Sequence, residues 1–516
     1  MDRESELAVL AKTESVALIG TEARLVEVEV HVSTGGLPGF RIVGLPAKSV
    51  TEAEQRVRSG LQSSQQRWPM VRMTANLAPG ALRKEGAHFD LAIALGVVAA
   101  DGRIPVERLE GWLVIGEVSL DGRIRPVRGA LAAAFTCKQL GRRGIICPVA
   151  NAPEAAVVDG VDVIAVRTLK ESIDFVMGKW TPPVVESIPL ATEVATDDIS
   201  EVRGHPLAKR AVEIAAAGGH NLLLIGPPGS GKTMLARRMP GILPEMSLEE
   251  SIEVTRVYSV AGMLPERASL ITTRPIRSPH QHVSVAGLIG GGPGIARPGE
   301  VSLAHHGVLF LDEIALFRNE VLESLRGPLE DGCVRIARSG GVVVYPARFS
   351  LIAAMNPCPC GYVDEPKHEC RCNGMQLHNY AARLSGPLLD RFDMQITMES
   401  ATRKDLLGEP EGDSSESVKQ RVTKARAMQV QRHGPVRTNA SCTRKELDVD
   451  LALSSSARML LDEAIDNMLL TGRGVDRALR VARTIADLEG HVGISDEFMA
   501  EALEYRRQGQ DKEVAA

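Results

Sequence analysis

Eight consecutive residues, Gly226-Pro227-Pro228-Gly229-Ser230-Gly231-Lys232-Thr233, have the types and spacing of a phosphate-binding loop, G-x4-G-K-T. An apolar run, Leu222–Ile225, leads into it as a strand, and residues 234–239 lead out of it as a helix. Glycines let backbone N–H groups curl around phosphate oxygens, and the helix N-terminus adds positive potential at the same point. Lys232 is then set to pair with the β- and γ-phosphates of ATP, and the Thr233 hydroxyl to hold Mg2+. The bland alternative is a glycine-rich turn with no ligand; the flanking strand and helix argue against it.

A second run, Gly307-Val308-Leu309-Phe310-Leu311-Asp312-Glu313, reads as a central parallel strand with two carboxylates at its carboxyl end, where open α/β sheets bind ligands. Asp312 suits the Mg2+ shell, and Glu313 can orient and polarise an attacking water. A third strand, residues 349–355, ends at Asn356, whose amide can hydrogen-bond both γ-phosphate and water; an Asn capping the turn before Pro357 is the alternative. Arg391, within Asp390-Arg391-Phe392-Asp393, can reach a neighbouring subunit's γ-phosphate, or else make a surface ion pair. Arg473, at a helix start, is a candidate second sensor, or one of several solvated arginines beside Arg477, Arg480 and Arg483.

Cys358, Cys360, Cys370 and Cys372 bring half of the chain's eight cysteines into fifteen residues. The amino terminus has neither a basic start followed by an apolar run nor a cleavage signal, so the thiols are expected to be reduced in a cytoplasmic protein. The cluster then suggests a tetrahedral four-cysteine zinc site, with His368 able to replace one ligand; unligated thiols in a tight loop are the other reading. It begins two residues after Asn356, so a bound zinc would stiffen the element that carries this amide.

These groups need an α/β frame to position them. With 516 residues, and roughly 150 per domain, about three units are expected. Residues 1–179 form a first α/β unit: 24–32 (RLVEVEVHV) alternates as a half-buried strand, 50–61 reads as a helix, and 91–99 as a buried helix or strand. Residues 180–200, with two adjacent prolines, read as a linker. Residues 201–400 form the second α/β unit, and 401–516 open with a polar patch at 408–417 and then turn helical. Leu460, Leu461, Ala464, Ile465, Met468 and Leu469 recur there at helical spacing. The last eight residues are expected to fray.

Aromatic residues amount to 3% of the chain, so base-stacking platforms are not its main device. A net charge of −5 excludes a protein basic all over, although a few arginines in a ring can still act locally on nucleic acid. The longest nearly apolar stretch, 91–100, is half a bilayer span, so no membrane contact is expected.

The segments GHNLLLIGPPGSGKTMLARRMPGILP, SPHQHVS, PGEVSLAHHGVLFLDE, AAMNPCPCGY, LSGPLLDRFD and ARTIADLEG resemble the AAA+ ATPases related to magnesium chelatase, and within them the YifB/ComM family. Gln281 stands where the family usually has a second His, and Leu316 where it usually has an acidic residue. The stretches 76–80, 84–95 and 116–126 resemble a Lon-protease-like fold. True Lon proteases need a Ser activated by a Lys, but residues 86–88 offer no Ser and 127–131 no Lys. The resemblance thus implies a non-proteolytic Lon-like first domain, an AAA+ P-loop core and a C-terminal helical lid. It assigns the first domain to oligomer or DNA contact, where Arg83, Lys84, Arg123, Arg125 and Arg128 could meet phosphate or form a solvated basic edge.

Residues 333–349 read as a hairpin turning at Ser339-Gly340-Gly341. In the clade that this chain resembles, such a hairpin projects into a ring pore, which would place Arg335, Arg338 and Arg348 there in sixfold copies. An ordinary sheet edge is the alternative, and residues 274–298 offer either a second pore loop or a packing loop. The resemblance implies a homo-oligomeric motor, taken as a hexamer, on single-stranded or branched DNA. A magnesium-chelatase motor subunit and a protein-remodelling ATPase are the other readings. The first of these is opposed by the Lon-like first domain, which the chelatase motor subunit is expected to lack, and by the lack of an integrin-type domain with a metal-adhesion motif in the sequence.

Overall fold

The computed structural model describes residues 10–33, 37–185, 189–190, 197–264, 269–292, 296–338, 341–363, 365–366, 368–400, 412–435, 437–450, 452–467 and 470–510. Met468, Leu469, the hairpin turn residues Ser339 and Gly340, much of the linker and of the polar patch, and the last six residues lie outside them. So does the side chain of Arg338.

The first unit is built on a seven-stranded mixed sheet in the order Gly39–Val43, Arg72–Ala78, Glu22–Ser33, Leu10–Ile19, Trp112–Val114, Gly144–Pro148, Asp162–Val166. The period-two alternation of RLVEVEVHV sends Val26, Val28, Val30 and Val32 to one buried face. Residues 91–99, which pattern alone left between helix and strand, lie in helix Asp90–Ala100, whose every residue is buried. A helix buried all round carries no amphipathic stripe, so periodicity could not decide it. Residues 50–61 divide between two helices, Lys48–Thr51 and Ala53–Ser63.

The second sheet has five parallel strands in the order Ile276–Arg277, Val308–Leu311, Ser350–Met355, Leu222–Ile225, Met394–Thr397. Leu222, Leu224, Val308, Phe310, Ile352 and Ala354 face one core, while Leu223, Ile225, Leu309, Leu311, Leu351 and Ala353 face another. Burial on both faces is why these strands read as unbroken apolar runs. The first of these cores also contains residues of helices Pro206–Gly218, Ser415–His433, Gly472–Leu488 and Asp496–Gln510. The carboxyl-terminal helices therefore share one continuous core with the sheet. Among the described residues no helix is long and apolar enough to cross a membrane.

Candidate active site

Parallel strands end at a common edge, which brings Gly226, Asp312 and Asn356 together because each directly follows its strand. Gly229 and Gly231 take φ values of +80° and +84°, a region that a side chain resists, and helix Lys232–Arg238 starts at once after them. Lys232 Nζ donates to the carbonyls of Gly226 and Pro227, both at 2.8 Å, and lies 3.3 Å from Ser230 Oγ and from Asn356 Oδ1. Burial lowers its pKa to about 8, against the opposing pull of Asp312 and Glu313. Thr233 Oγ1 donates to Asp312 Oδ2 at 2.9 Å. A hydroxyl and a carboxylate side by side at the loop are the hard oxygen donors that suit Mg2+, which takes one or two protein ligands and completes its shell with phosphate and water.

Glu313 is exposed, has φ +49°, and its N–H donates to Asp312 Oδ1 at 3.0 Å. A non-glycine residue in the left-handed region costs of order 1 kcal/mol and is concentrated at functional sites. That turn holds one Asp312 oxygen on the Glu313 N–H and leaves the other to Thr233.

Arg391 and Arg473 form a separate group. Arg391 is 6% exposed, bonds the Pro387 carbonyl at 2.5 Å and pairs with Glu330; Arg473 lies 3.7 Å from the same carboxylate. None of the hydrogen bonds or ion pairs of the described residues joins this pair to Lys232, Thr233 or Asp312. Motif spacing missed how Arg391 is held. Asn221 Oδ1 accepts Leu351 N–H at 2.8 Å, and its Nδ2 donates to the Arg391 carbonyl at 2.9 Å. Asp393 Oδ2 accepts Asn221 N–H at 3.0 Å, with buried His220 at 3.4 Å and Arg477 3.4 Å from its other oxygen. The turn of Arg391 is thus tied to the strand that ends at Asn356.

Cys358 Sγ lies 3.4 Å from Cys360 Sγ and 3.8 Å from Cys370 Sγ, and all four sulfurs, including Cys372, lie within 4.8 Å of one another. Four thiolates at about 2.3 Å from a tetrahedral zinc stand about 3.8 Å apart, so the cluster has the dimensions of such a site. His368 is not among the grouped ligands; its ring lies against Tyr362 instead. The next residue after the first pair, Gly361 (φ +88°), packs on Pro228 of the phosphate loop.

The hairpin has strands Cys333–Arg338 and Gly341–Pro346. Arg335 is exposed and pairs with Asp331 at 2.6 Å, and Arg348 is exposed. The returning strand meets the first unit: a Cβ on Gly20 would stand 2.7 Å from the Val344 carbonyl. In 274–298, Arg274 bonds Glu250 and the His306 carbonyl, Arg277 bonds Glu300, and a short helix spans Val285–Ile289, so both of these arginines serve packing. Of the basic residues in the first unit, Arg83 pairs with Glu85, Arg123 with Asp121, Arg125 with Glu117, and Lys84 is buried on the Pro79 carbonyl.

A second group that motif reading overlooked lies behind strand Val308–Leu311. His305 and His306 both bond Glu253 Oε2 through Nε2 at 2.9 Å. Arg348 N–H donates to His305 Nδ1 at 3.1 Å, so His305 Nε2 carries its proton and faces Glu253 as a donor. That tautomer fits a hydrogen-bonded brace rather than a metal site, and burial holds His305 neutral with a pKa of about 4.

Residues 198–406 match the family described as magnesium chelatase, subunit ChlI; residues 28–151 match subunit ChlI of Mg-chelatase, and residues 412–506 its C-terminal family. The chain is 45% identical to an uncharacterized protein of Mycobacterium tuberculosis, over 97% of this chain and 99% of that one. It is 41% identical to competence protein ComM of Haemophilus influenzae (96% and 97% covered) and 40% identical to YifB of Escherichia coli (95% and 96%). The chain belongs to the YifB/ComM family of magnesium-chelatase-like proteins, with an α/β AAA+ fold.

Proposed function

We propose that this member of the family is an ATPase whose subunits assemble into a hexameric ring and move along single-stranded or branched DNA, promoting branch migration in recombination or transformation in the cytoplasm. The observation that carries the reading is the convergence of Lys232, Thr233, Asp312 and Asn356 at one sheet edge, with Arg391 and Arg473 gathered apart from them at Glu330. In this reading residues 226–233 bind ATP, Thr233 and Asp312 hold Mg2+, and Glu313 orients the water while Asn356 senses the γ-phosphate. Arg391 and Arg473 complete the neighbouring subunit's site, which makes assembly a requirement for turnover. The four cysteines hold zinc. Residues 1–179 are the Lon-like domain, 180–200 the linker, 201–400 the ATPase core and 401–516 the lid.

DNA as the substrate is supported by near full-length similarity to a protein named for competence and by the exposed Arg335 and Arg348 at the hairpin. That end-to-end similarity to ComM and YifB also makes the chelatase reading the weaker one. Contrary to the expectation from sequence, the first unit does not argue against the chelatase, since residues 28–151 match a family named for the chelatase subunit.

The test is the ATPase rate with and without single-stranded and forked DNA at about 50 and 200 mM salt, with Glu313→Gln as the inactive control. Stimulation that fades at higher salt is expected, because phosphate contacts release counterions. A rate indifferent to every DNA form at both salts overturns the DNA reading, and a porphyrin requirement turns it toward the chelatase.

A further inference from the structure

A cavity of about 420 Å3 lies between the first unit and the ATPase unit. Gly86, Ala87 and His88 line one side and Val127 and Arg128 another, so the stretches lacking the protease Ser and Lys face one space. Val260, Ala296 and Arg297 of the ATPase unit close it.

The cavity is not built for proteolysis. His88 Nε2 bonds the Val16 carbonyl at 2.7 Å, and the Ser49 hydroxyl accepts the Gly86 N–H at 3.1 Å with no base bonded to it among the described residues. Its two carboxylates are engaged elsewhere, Glu85 by Arg83 at 2.6 Å and Glu117 by Arg125 at 3.7 Å. Two guanidiniums are left, one from each unit. Among the described residues neither Arg128 nor Arg297 makes a hydrogen bond or an ion pair, and each repels the other. Partial burial first, and then Arg297, depress the pKa of Arg128, while Tyr345 and Glu85 oppose them. Arg128 is also held in place, since its Cδ would stand 2.9 Å from a Cβ on Gly262. Two guanidiniums lining one half-enclosed space, one from each wall, make it attractive to an anion.

We propose that this cavity binds a small organic phosphate, its phosphoryl group held between Arg128 and Arg297. Two guanidinium forks match the several oxygens of a phosphate dianion. Leu18, Val127 and Val260 offer an apolar wall for the rest of the ligand, and the volume falls within the range of small-molecule sites, about 300–1,000 Å3. The site is coupled to the hairpin, because Tyr345 Oη donates to the Ala296 carbonyl at 2.5 Å. A ligand bridging the two arginines would therefore fix the first unit against the hairpin.

The experiment is calorimetric titration of the full chain carrying Lys232→Ala, which weakens binding at the phosphate loop, with AMP, inorganic pyrophosphate and inorganic phosphate. Saturable AMP binding is expected, competed by phosphate and weakened at least about tenfold, or about 1.4 kcal/mol, by Arg128→Ala or Arg297→Ala. Both side chains are exposed, and Arg128→Gln and Arg297→Gln serve where truncation harms folding. Pyrophosphate or phosphate binding as tightly as AMP would place the free anion, and not an organic phosphate, in the cavity. Absence of saturable binding below about 10 mM, or binding indifferent to both substitutions, overturns the site. No DNA and no turnover enter this readout, so its failure leaves the motor reading standing.

Discussion

A Cβ placed on Gly361, in the cysteine loop, would stand 2.5 Å from Cδ of Pro228, in the phosphate loop. The cysteine cluster is therefore buttressed on the nucleotide site from two directions, through Asn356 two residues before Cys358 and through this contact. Gly361→Ala would force the pair apart and strain a residue at φ +88°. The expected cost is about 1–3 kcal/mol of stability and a weaker ATP affinity. Thermal midpoint and fluorescent-nucleotide titration check both; unchanged ATP affinity would show that the contact is not transmitted to the loop.

Removal of metal from the cysteine cluster is expected to lower ATP turnover while far-UV circular dichroism stays unchanged. None of the four cysteines belongs to a hydrophobic core, so what is lost is the rigidity of one loop rather than the fold. The check is zinc content and ATPase rate after chelation, dialysis and restoration of Mg2+. Unchanged turnover in zinc-free protein would detach the cluster from the active site.

His88 gives the first unit a defined acid sensitivity. Burial of its ring first, and then Arg128, bring its pKa down to about 4, against the opposing pull of the hydrogen bond to the Val16 carbonyl. The unfolded chain takes up that proton below about pH 6.5, whereas the fold excludes it until pH falls to about 4. Stability is therefore lost as pH drops through this window, by at most about 3 kcal/mol, and the slope vanishes above and below it. Urea unfolding of the native chain and of His88→Gln between those pH values isolates the effect as the difference of the two curves. Parallel curves would show that His88 is protonated in the fold.

The nucleotide strands were legible because each is buried on both faces and stops at a residue that no core needs, Gly226, Asp312 or Asn356. Leu222–Ile225 has the bounds its apolar run predicts, and the hairpin around Ser339-Gly340 followed from its turn residues. What stayed hidden is long-range. Asn221 precedes an apolar strand as many loop residues do, and only pairing of Leu222–Ile225 with both Ser350–Met355 and Met394–Thr397 reveals that it bridges them. Helix Asp90–Ala100 was ambiguous for the opposite reason, since complete burial erases periodicity. Arg128 looked like one of five basic surface residues, and it is distinguished only by where the neighbours of the other four lie.

The segregation of Arg391 and Arg473 from Lys232 predicts complementation between two dead subunits. In the proposed ring, Arg391→Ala would remove the residue offered to the neighbour and keep its own water-orienting Glu313; Glu313→Gln would do the reverse. Each alone should bind ATP and lose turnover by at least about a hundredfold. In an equimolar mixed ring, about one interface in four pairs an intact Glu313 with an intact Arg391, so about a quarter of native activity should return. Both variants leave the Glu330 side of Arg473 and the phosphate loop in place, and nucleotide binding by each should stay close to native. ATPase assays of the mixture against each variant alone decide the matter. A mixture no more active than its parts would show that Arg391 is not offered to the neighbour, and the Arg391–Glu330–Arg473 group would then be a structural ion cluster.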